Sequence, residues 1–271
     1  MRKFKIFNAI GQEYDLNDVR NFFHGPVGLG FEMDNKFERI GNQFLLTGER
    51  IKQPEPEGQI RFKDYQAFNE FVKFLQKKPL KLQYQAADTY YLNVVAKRIE
   101  KKEMEMLGLI VSIRFSGLGL WYKDVIKNID GTEALGKVYP YGYPYLYADG
   151  SQAIVTVESD SEIESPIVIT IMGPCTNPTY THYVNGIPVA SGKIFYDLQE
   201  GRRIQISSKV PYSIKELDDM GDELKDLYGK SDFSTERFLM MQSGTNEIAF
   251  VHDGAYELKA VVEAMIFYEA V

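Results

Sequence analysis

The densest group of side chains that could do acid–base chemistry is Asp218, Asp219, Asp222, Glu223 and Asp226. Paired carboxylates hydrolyse glycosides when one acts as general acid and the other flanks the scissile bond. A charge run of this kind is more commonly a solvated face. Calcium would want an Asp-x-Asp-x-Asp-Gly loop, which the sequence lacks. His24, His182 and His252 stand far apart, without the short spacings that bring ligands onto one metal. The glycine-rich stretch Gly25-Pro-Val-Gly28-Leu-Gly30 is followed by Phe31-Glu-Met-Asp34, which puts negative charge where a phosphate loop would hold an anion. No Gly-x-Ser-x-Gly elbow presents a nucleophile. The single cysteine, Cys175, can make neither an intrachain disulfide nor a zinc cluster, and reads as a buried or half-buried small side chain. The expectation is a protein that is not an enzyme and takes no cofactor or metal.

A different chemistry is suggested by Tyr139, Tyr141, Tyr143, Tyr145 and Tyr147, which occupy every second position of Tyr139-Pro-Tyr-Gly-Tyr-Pro-Tyr-Leu-Tyr147. In a strand, that period puts five rings on one face. The two prolines confine the segment to an edge or to extended chain outside a sheet. Three uses fit: packing between the two domains or along a sandwich edge, a protein interface, or a face that stacks on saccharide.

The elements that would position these groups fall into two halves with different surfaces. Residues 1–134 carry 21 Lys/Arg and 18 Asp/Glu, a net of +3, and residues 135–271 carry 10 and 20, a net of −10. An acidic total argues against nucleic-acid recognition, which needs a basic footprint. No stretch approaches the roughly 18 apolar residues of a membrane helix, and the first residues alternate as a strand rather than forming a signal peptide.

The front half reads as strands around one helix. Residues 3–8 alternate, and Phe44, Leu45 and Leu46 are expected to be a buried strand core. A helix is predicted over 64–76: Asp64 caps it, Tyr65, Phe68, Phe71, Val72 and Leu75 form one apolar stripe, and Pro79 stops it. Two strands, 89–99 and 107–117, form a hairpin with a charged tip at 100–105. Arg98, Glu100, Lys101, Lys102 and Glu103 at its end are candidates for contact with a neighbouring copy. Residues 123–138 are expected to link into the rear half.

The rear half reads as a β-sandwich of short strands near 151–158, 166–173, 179–185, 187–190, 193–198, 202–207, 237–242, 246–251 and 256–268. Asn185-Gly186, Glu200-Gly201, Ser243-Gly244 and Asp253-Gly254 mark its turns. Residues 213–232 interrupt the pattern, as a short helix or an ordered excursion. The fold class expected is therefore mainly β, all-β apart from one helix in the N-terminal domain. The domains are 1–134 and 135–271.

The order of these features resembles the distal tail protein family of siphophages that infect Gram-positive hosts. Phe7-Asn8-Ala-Ile-Gly11 is similar to the family's opening strand and turn, and Pro26-Val-Gly28-Leu-Gly30 to its glycine-rich segment. Gly58-Gln-Ile60-Arg-Phe62 with Tyr65, Phe68 and Phe71 resembles its strand-to-helix passage. Leu80-x-Leu82-x-Tyr84, Tyr90-Tyr91 and Trp121-Tyr122 resemble the strands that follow and the end of its first domain. In the rear half, Tyr141-Gly-Tyr143-Pro-Tyr145 looks like the entry to the second domain. Asp232-Phe-Ser-Thr-Glu-Arg-Phe238 and Ser243-Gly-Thr-Asn246-Glu-Ile248 resemble its final strands.

The resemblance implies a sandwich-like, ring-forming N-terminal domain with its helix and hairpin, followed by a galectin-like or carbohydrate-module-like sandwich. It implies a homohexameric ring at the virion tail tip or baseplate, assembled in the host cytoplasm and joining the tail tube protein to a tail-associated baseplate or fibre protein. The rear domain would carry receptor-binding proteins. The alternative is a carbohydrate-binding module that recognises host cell-wall saccharide. The resemblance implies no enzymatic activity, and nucleic acid and membrane are not expected partners.

Overall fold

A computed structural model describes residues 2–17, 23–105, 108–130, 152–254 and 257–271. The chain divides into two compact units: Met1–Lys123 with Tyr268–Val271, and Asp124–Phe267. The expected domain boundary at 134 lies outside the described residues.

The first unit contains strands β1 (Lys3–Phe7), β2 (Glu13–Asp15), β3 (Phe23–Val27), β4 (Met33–Ile40), β5 (Gln43–Ile51) and β6 (Glu57–Phe62). Helix α1 (Tyr65–Leu75) and strands β7 (Leu80–Gln85), β8 (Thr89–Glu105) and β9 (Gly108–Gly117) follow, and β10 (Trp121–Asp130) begins here. The 17-residue β8 organises the unit. Residues 89–94 pair with β7, which pairs with β1 and then β2; residues 94–105 pair with β9, which pairs with β6 and then β3. Register shifts at Ala96/Arg98 and Lys101/Met104 fall in the second half of β8, where bulges bend a strand and increase its twist. One strand thus serves two layers.

The core lies between those layers. Alternate residues face inward, as the period-2 geometry of strands requires. Phe4, Ile6, Leu82, Leu92 and Val94 from one layer join Ile60, Phe62, Val111, Ile113 and Phe115 from the other, all buried. Helix α1 contributes Phe71, Phe74 and Leu75 to the same cluster. Asp64 Oδ1 accepts the Ala67 N–H at 2.8 Å, which satisfies one of the helix's orphan donors. Phe62 meets Phe71 with ring centroids 5.3 Å apart, and Tyr14 meets Phe71 at 4.8 Å. The helix buries Phe74, which the expected stripe omitted, and leaves Tyr65 exposed.

Three local expectations are corrected. Phe44, Leu45 and Leu46 are exposed rather than buried, because among the described residues β4 and β5 pair only with each other, as a two-stranded sheet. The charged residues 100–105 are not a tip but the last part of β8, paired with β9 almost to its end. The expected linker from 123 begins as strand, since β10 runs on to Asp130.

The second unit contains β11 (Gln152–Ser159), β12 (Ser165–Met172), β13 (Cys175–Thr176), β14 (Thr179–Val184), β15 (Ile187–Lys193) and β16 (Asp197–Leu198). Next come β17 (Arg203–Ser207), β18 (Ser213–Leu217), β19 (Glu223–Asp226), β20 (Met240–Met241), β21 (Gly244–Val251) and most of β22 (Lys259–Tyr268). One sheet runs β19-β18-β17-β12-β22 and the other β11-β21-β14-β15, with antiparallel pairing throughout. This is the two-sheet arrangement expected of the rear half. The β14–β15 turn uses Asn185 and Gly186 at φ +50° and +79°, the left-handed pair that a tight hairpin needs. The interrupting segment 213–232 is the β18–β19 hairpin and a single 3-10 turn, with Ile214 and Leu227 buried.

Candidate functional site

The carboxylates of the acidic segment close turns. Asp218 Oδ1 accepts the N–H groups of Met220 and Asp222 at 2.9 and 2.8 Å, and Asp226 Oδ1 accepts that of Tyr228 at 2.8 Å. Short side chains that bond backbone two residues on are a standard turn device. Among the described residues, no group of three or more His, Cys, Asp or Glu side chains gathers as a metal site would need.

His24 is exposed on β3, whereas His182 and His252 are buried. His182 Nε2 lies 3.0 Å from Asn246 Oδ1. Burial lowers the His182 pKa, with the Asn246 contact opposing it. Cys175 is buried, and burial with the nearby Asp197 charge pushes its thiol up to about 12, so it is not a nucleophile at neutral pH.

The glycine-rich stretch has a packing reason. Gly28 adopts φ +78°, and a Cβ there would fall 2.3 Å from the Glu55 carbonyl oxygen, so the chain passes too close for any side chain. Beside it opens a polar cleft of about 730 Å³, lined among others by Phe31, Glu32, Asp34, Arg50, Lys52 and Glu55. Lys52 pairs with Glu32 there. Glu55 is held below the usual carboxylate range, chiefly by its hydrogen bond from Lys97.

This cleft sits at the root of the β4–β5 hairpin, the first unit's least covered element. Phe37 is 57% exposed, Ile40 62%, Phe44 71%, Leu45 54% and Leu46 46%. Two strands alone are marginal in water, and large apolar side chains gathered on an exposed hairpin mark an interaction surface. The apolar run was legible in the sequence; its exposure was not.

The residues predicted to contact a neighbouring copy behave differently. Arg98, Glu100, Lys101, Lys102 and Glu103 are exposed on β8. Arg98 pairs with Glu100, and the Lys101 ammonium lies over the Tyr65 and Phe68 rings at 5.0 and 5.8 Å. Part of this charge is therefore spent on the unit's own helix. Tyr139, Tyr141, Tyr143, Tyr145 and Tyr147 lie outside the described residues.

Residues 3–118 match the family described as the distal tail protein, N-terminal domain. Among solved structures, the chain is similar to one in the phage P2 baseplate in its activated conformation with Ca, at 19% identity and a TM-score of 0.59 over all of both chains. The same baseplate with Sr gives 18% and 0.60, again over all of both chains. A third likeness is to the SPP1 Dit protein, described as a paradigm of the hub adsorption apparatus in Gram-positive infecting phages. Its identity is 12% and its TM-score 0.63, over 96% of this chain and 98% of that one. At these identities the likeness carries the fold. No curated protein matches the chain.

Proposed function

We propose that this chain, whose residues 3–118 match the family described as the distal tail protein, N-terminal domain, is a phage tail protein that closes with copies of itself into a hexameric ring at the tail tip. The ring joins the tail tube to a baseplate or fibre protein. The first unit makes the ring, and the second carries a partner, a receptor-binding protein being the expected one. The role is structural, with no catalytic step.

The observation that carries this reading is the apolar β4–β5 hairpin. Its large apolar side chains Phe37, Ile40, Phe44, Leu45 and Leu46 are 46–71% exposed, and exposing them to water forfeits on the order of 25 cal/mol for each Å² that a partner could cover. A ring needs one copy to offer a surface that fits a different surface on the next, a heterologous contact that closes on itself. A hairpin standing clear of its own sheet supplies such a projection. Arg98 and its charged neighbours on β8 then serve as the outer, salt-sensitive part of that contact. The opposite net charges of the two halves support different partners on each.

Electron microscopy of the purified protein, alone and with its tail-tube partner, tests the reading. Rings with a central hole are expected. A protein that stays monomeric at high concentration with that partner present overturns it.

A further inference from the structure

We propose that the second unit holds a docking groove for an extended segment of a partner protein, in which one apolar side chain is the anchor and charges of opposite sign flank it. This rests on the reading of the second unit as the partner-carrying part of the hub, and it names the site and the chemistry that site selects.

The groove has a volume of about 350 Å³, enough for one large side chain. Met240, Met265 and Phe267 line it half-buried, and Tyr212 and Val210 stand 53% and 88% exposed at its mouth. Methionine makes such a floor adaptable to the shape of its guest. The hydroxyl in the floor, Ser208, is already engaged: its one proton lies between the Ile167 and Leu239 carbonyl oxygens, 2.8 and 2.7 Å from Oγ, and Oγ accepts the Ile167 N–H at 2.7 Å. A guest that enters must therefore be apolar, since a polar one would be dehydrated without compensation.

The rim sets the flanks. Glu164 and Lys209 are both exposed there. Glu164 receives only a neutral amide donor, Gln242 Nε2 at 3.3 Å, and no ion pair engages Lys209 among the described residues. Among the described residues, no opposite charge pairs with either. A segment with a basic residue beside Glu164 and an acidic one beside Lys209 satisfies both, and a segment with like charges on both flanks meets repulsion at one lip. The occupant is thus a dipolar, apolar-anchored peptide segment rather than a neutral saccharide.

Fluorescence polarisation on the full chain provides the test, with labelled heptapeptides carrying Phe at the centre and Lys/Glu, Lys/Lys or Glu/Glu as flanks. The Lys/Glu peptide should bind the wild type about threefold tighter than either like-charged one. Replacing its Phe by Ala should cost about tenfold or more. Glu164→Lys should shift the preference to Glu/Glu, and Lys209→Glu to Lys/Lys. Both are surface changes that leave folding intact. No saturable binding, or a preference that ignores both substitutions, overturns the proposal. So does a neutral saccharide that displaces the peptide. Light scattering on the same samples separates the two readings: rings without peptide binding remove the groove alone, and peptide binding without rings removes the hexamer alone.

Discussion

The Lys123 ammonium lies 4.9 Å from the centroid of the Tyr268 ring, joining residues 145 positions apart within the first unit. The same ammonium sits 4.9 Å over Tyr90 and 2.8 Å from Asp88 Oδ2, and the Tyr90 and Tyr268 rings meet edge to face at 5.2 Å. The last residues of the chain are tied down by this group and by the Val271 N–H, which donates to the Leu29 carbonyl at 3.0 Å.

Lys123→Ala should lower the stability of the first unit by about 1–2 kcal/mol, the size of two partly desolvated cation–π contacts. Burial alone would lower the Lys123 pKa; the Asp88 and Tyr268 oxygens overcome it and leave the pKa raised. The charged form is favoured in the folded state, so this stabilisation is complete below the ordinary lysine value near 10.4 and is lost as pH rises beyond it. Urea unfolding at pH 7 is the check. A Lys123→Ala midpoint equal to wild type would show that the clamp contributes nothing.

The arm is expected to separate assembly from folding. Phe44→Asp combined with Leu45→Asp should abolish ring formation and leave the monomer's unfolding midpoint within about 0.5 kcal/mol of wild type, since both positions are exposed. Light scattering and urea unfolding on one preparation read both quantities. Rings that survive the double substitution would take the contact away from β4–β5.

What the sequence showed of this arm, and what it hid, follows from where each signal acts. The helix was legible because its signals are local: Asp64 caps it and the ring spacing fixes its buried side. The Asn185-Gly186 turn was legible for the same reason. Phe44-Leu45-Leu46 carries a burial signal that predicts a core in this chain, yet all three side chains are exposed. An apolar run states that something covers it, not which molecule does. The Lys123–Tyr268 contact and the groove at Met240 and Met265 depend on residues brought together by the sheets, and no local pattern marks them. The charged flank of β8 was visible as a charge cluster, but its cation–π engagement with Tyr65 was not.

Gly192 on β15 is fixed by a ring rather than by its backbone. A Cβ there would lie 2.3 Å from the hydroxyl of Tyr180, which is fully buried and donates to the Arg237 carbonyl at 2.7 Å. Gly192→Ala should therefore destabilise the second unit by about 1–3 kcal/mol through overpacking. Tyr180→Phe should cost about 1–2 kcal/mol by leaving that carbonyl without its donor. In the double variant the clash and the lost hydrogen bond share one site, so the costs should sum to less than the two separately. Additive values from thermal unfolding would mean that Gly192 and Tyr180 act independently.

The pH response of the second unit should run through His182. The residue is 1% exposed, and its Nε2 faces Asn246 Oδ1, an oxygen that also accepts the Gln242 N–H at 3.0 Å while the Asn246 amide nitrogen donates to the Gln242 and Gly244 carbonyls. That network fixes the amide and leaves a neutral imidazole well placed. Burial lowers the folded-state pKa below its ordinary value near 6.5. The unfolded chain therefore binds a proton first as the pH falls, and it gains stability relative to the folded form. The contribution is intact above pH ~6.5 and declines below it until the folded-state pKa is reached. Urea midpoints should drop between pH 7.5 and 5.5 in the wild type. His182→Gln, which keeps a donor toward Asn246 but cannot titrate, should flatten that drop even if it lowers stability at both pH values. A slope unchanged by the substitution would place the acid sensitivity elsewhere, because the comparison cancels every other titrating group in the unit.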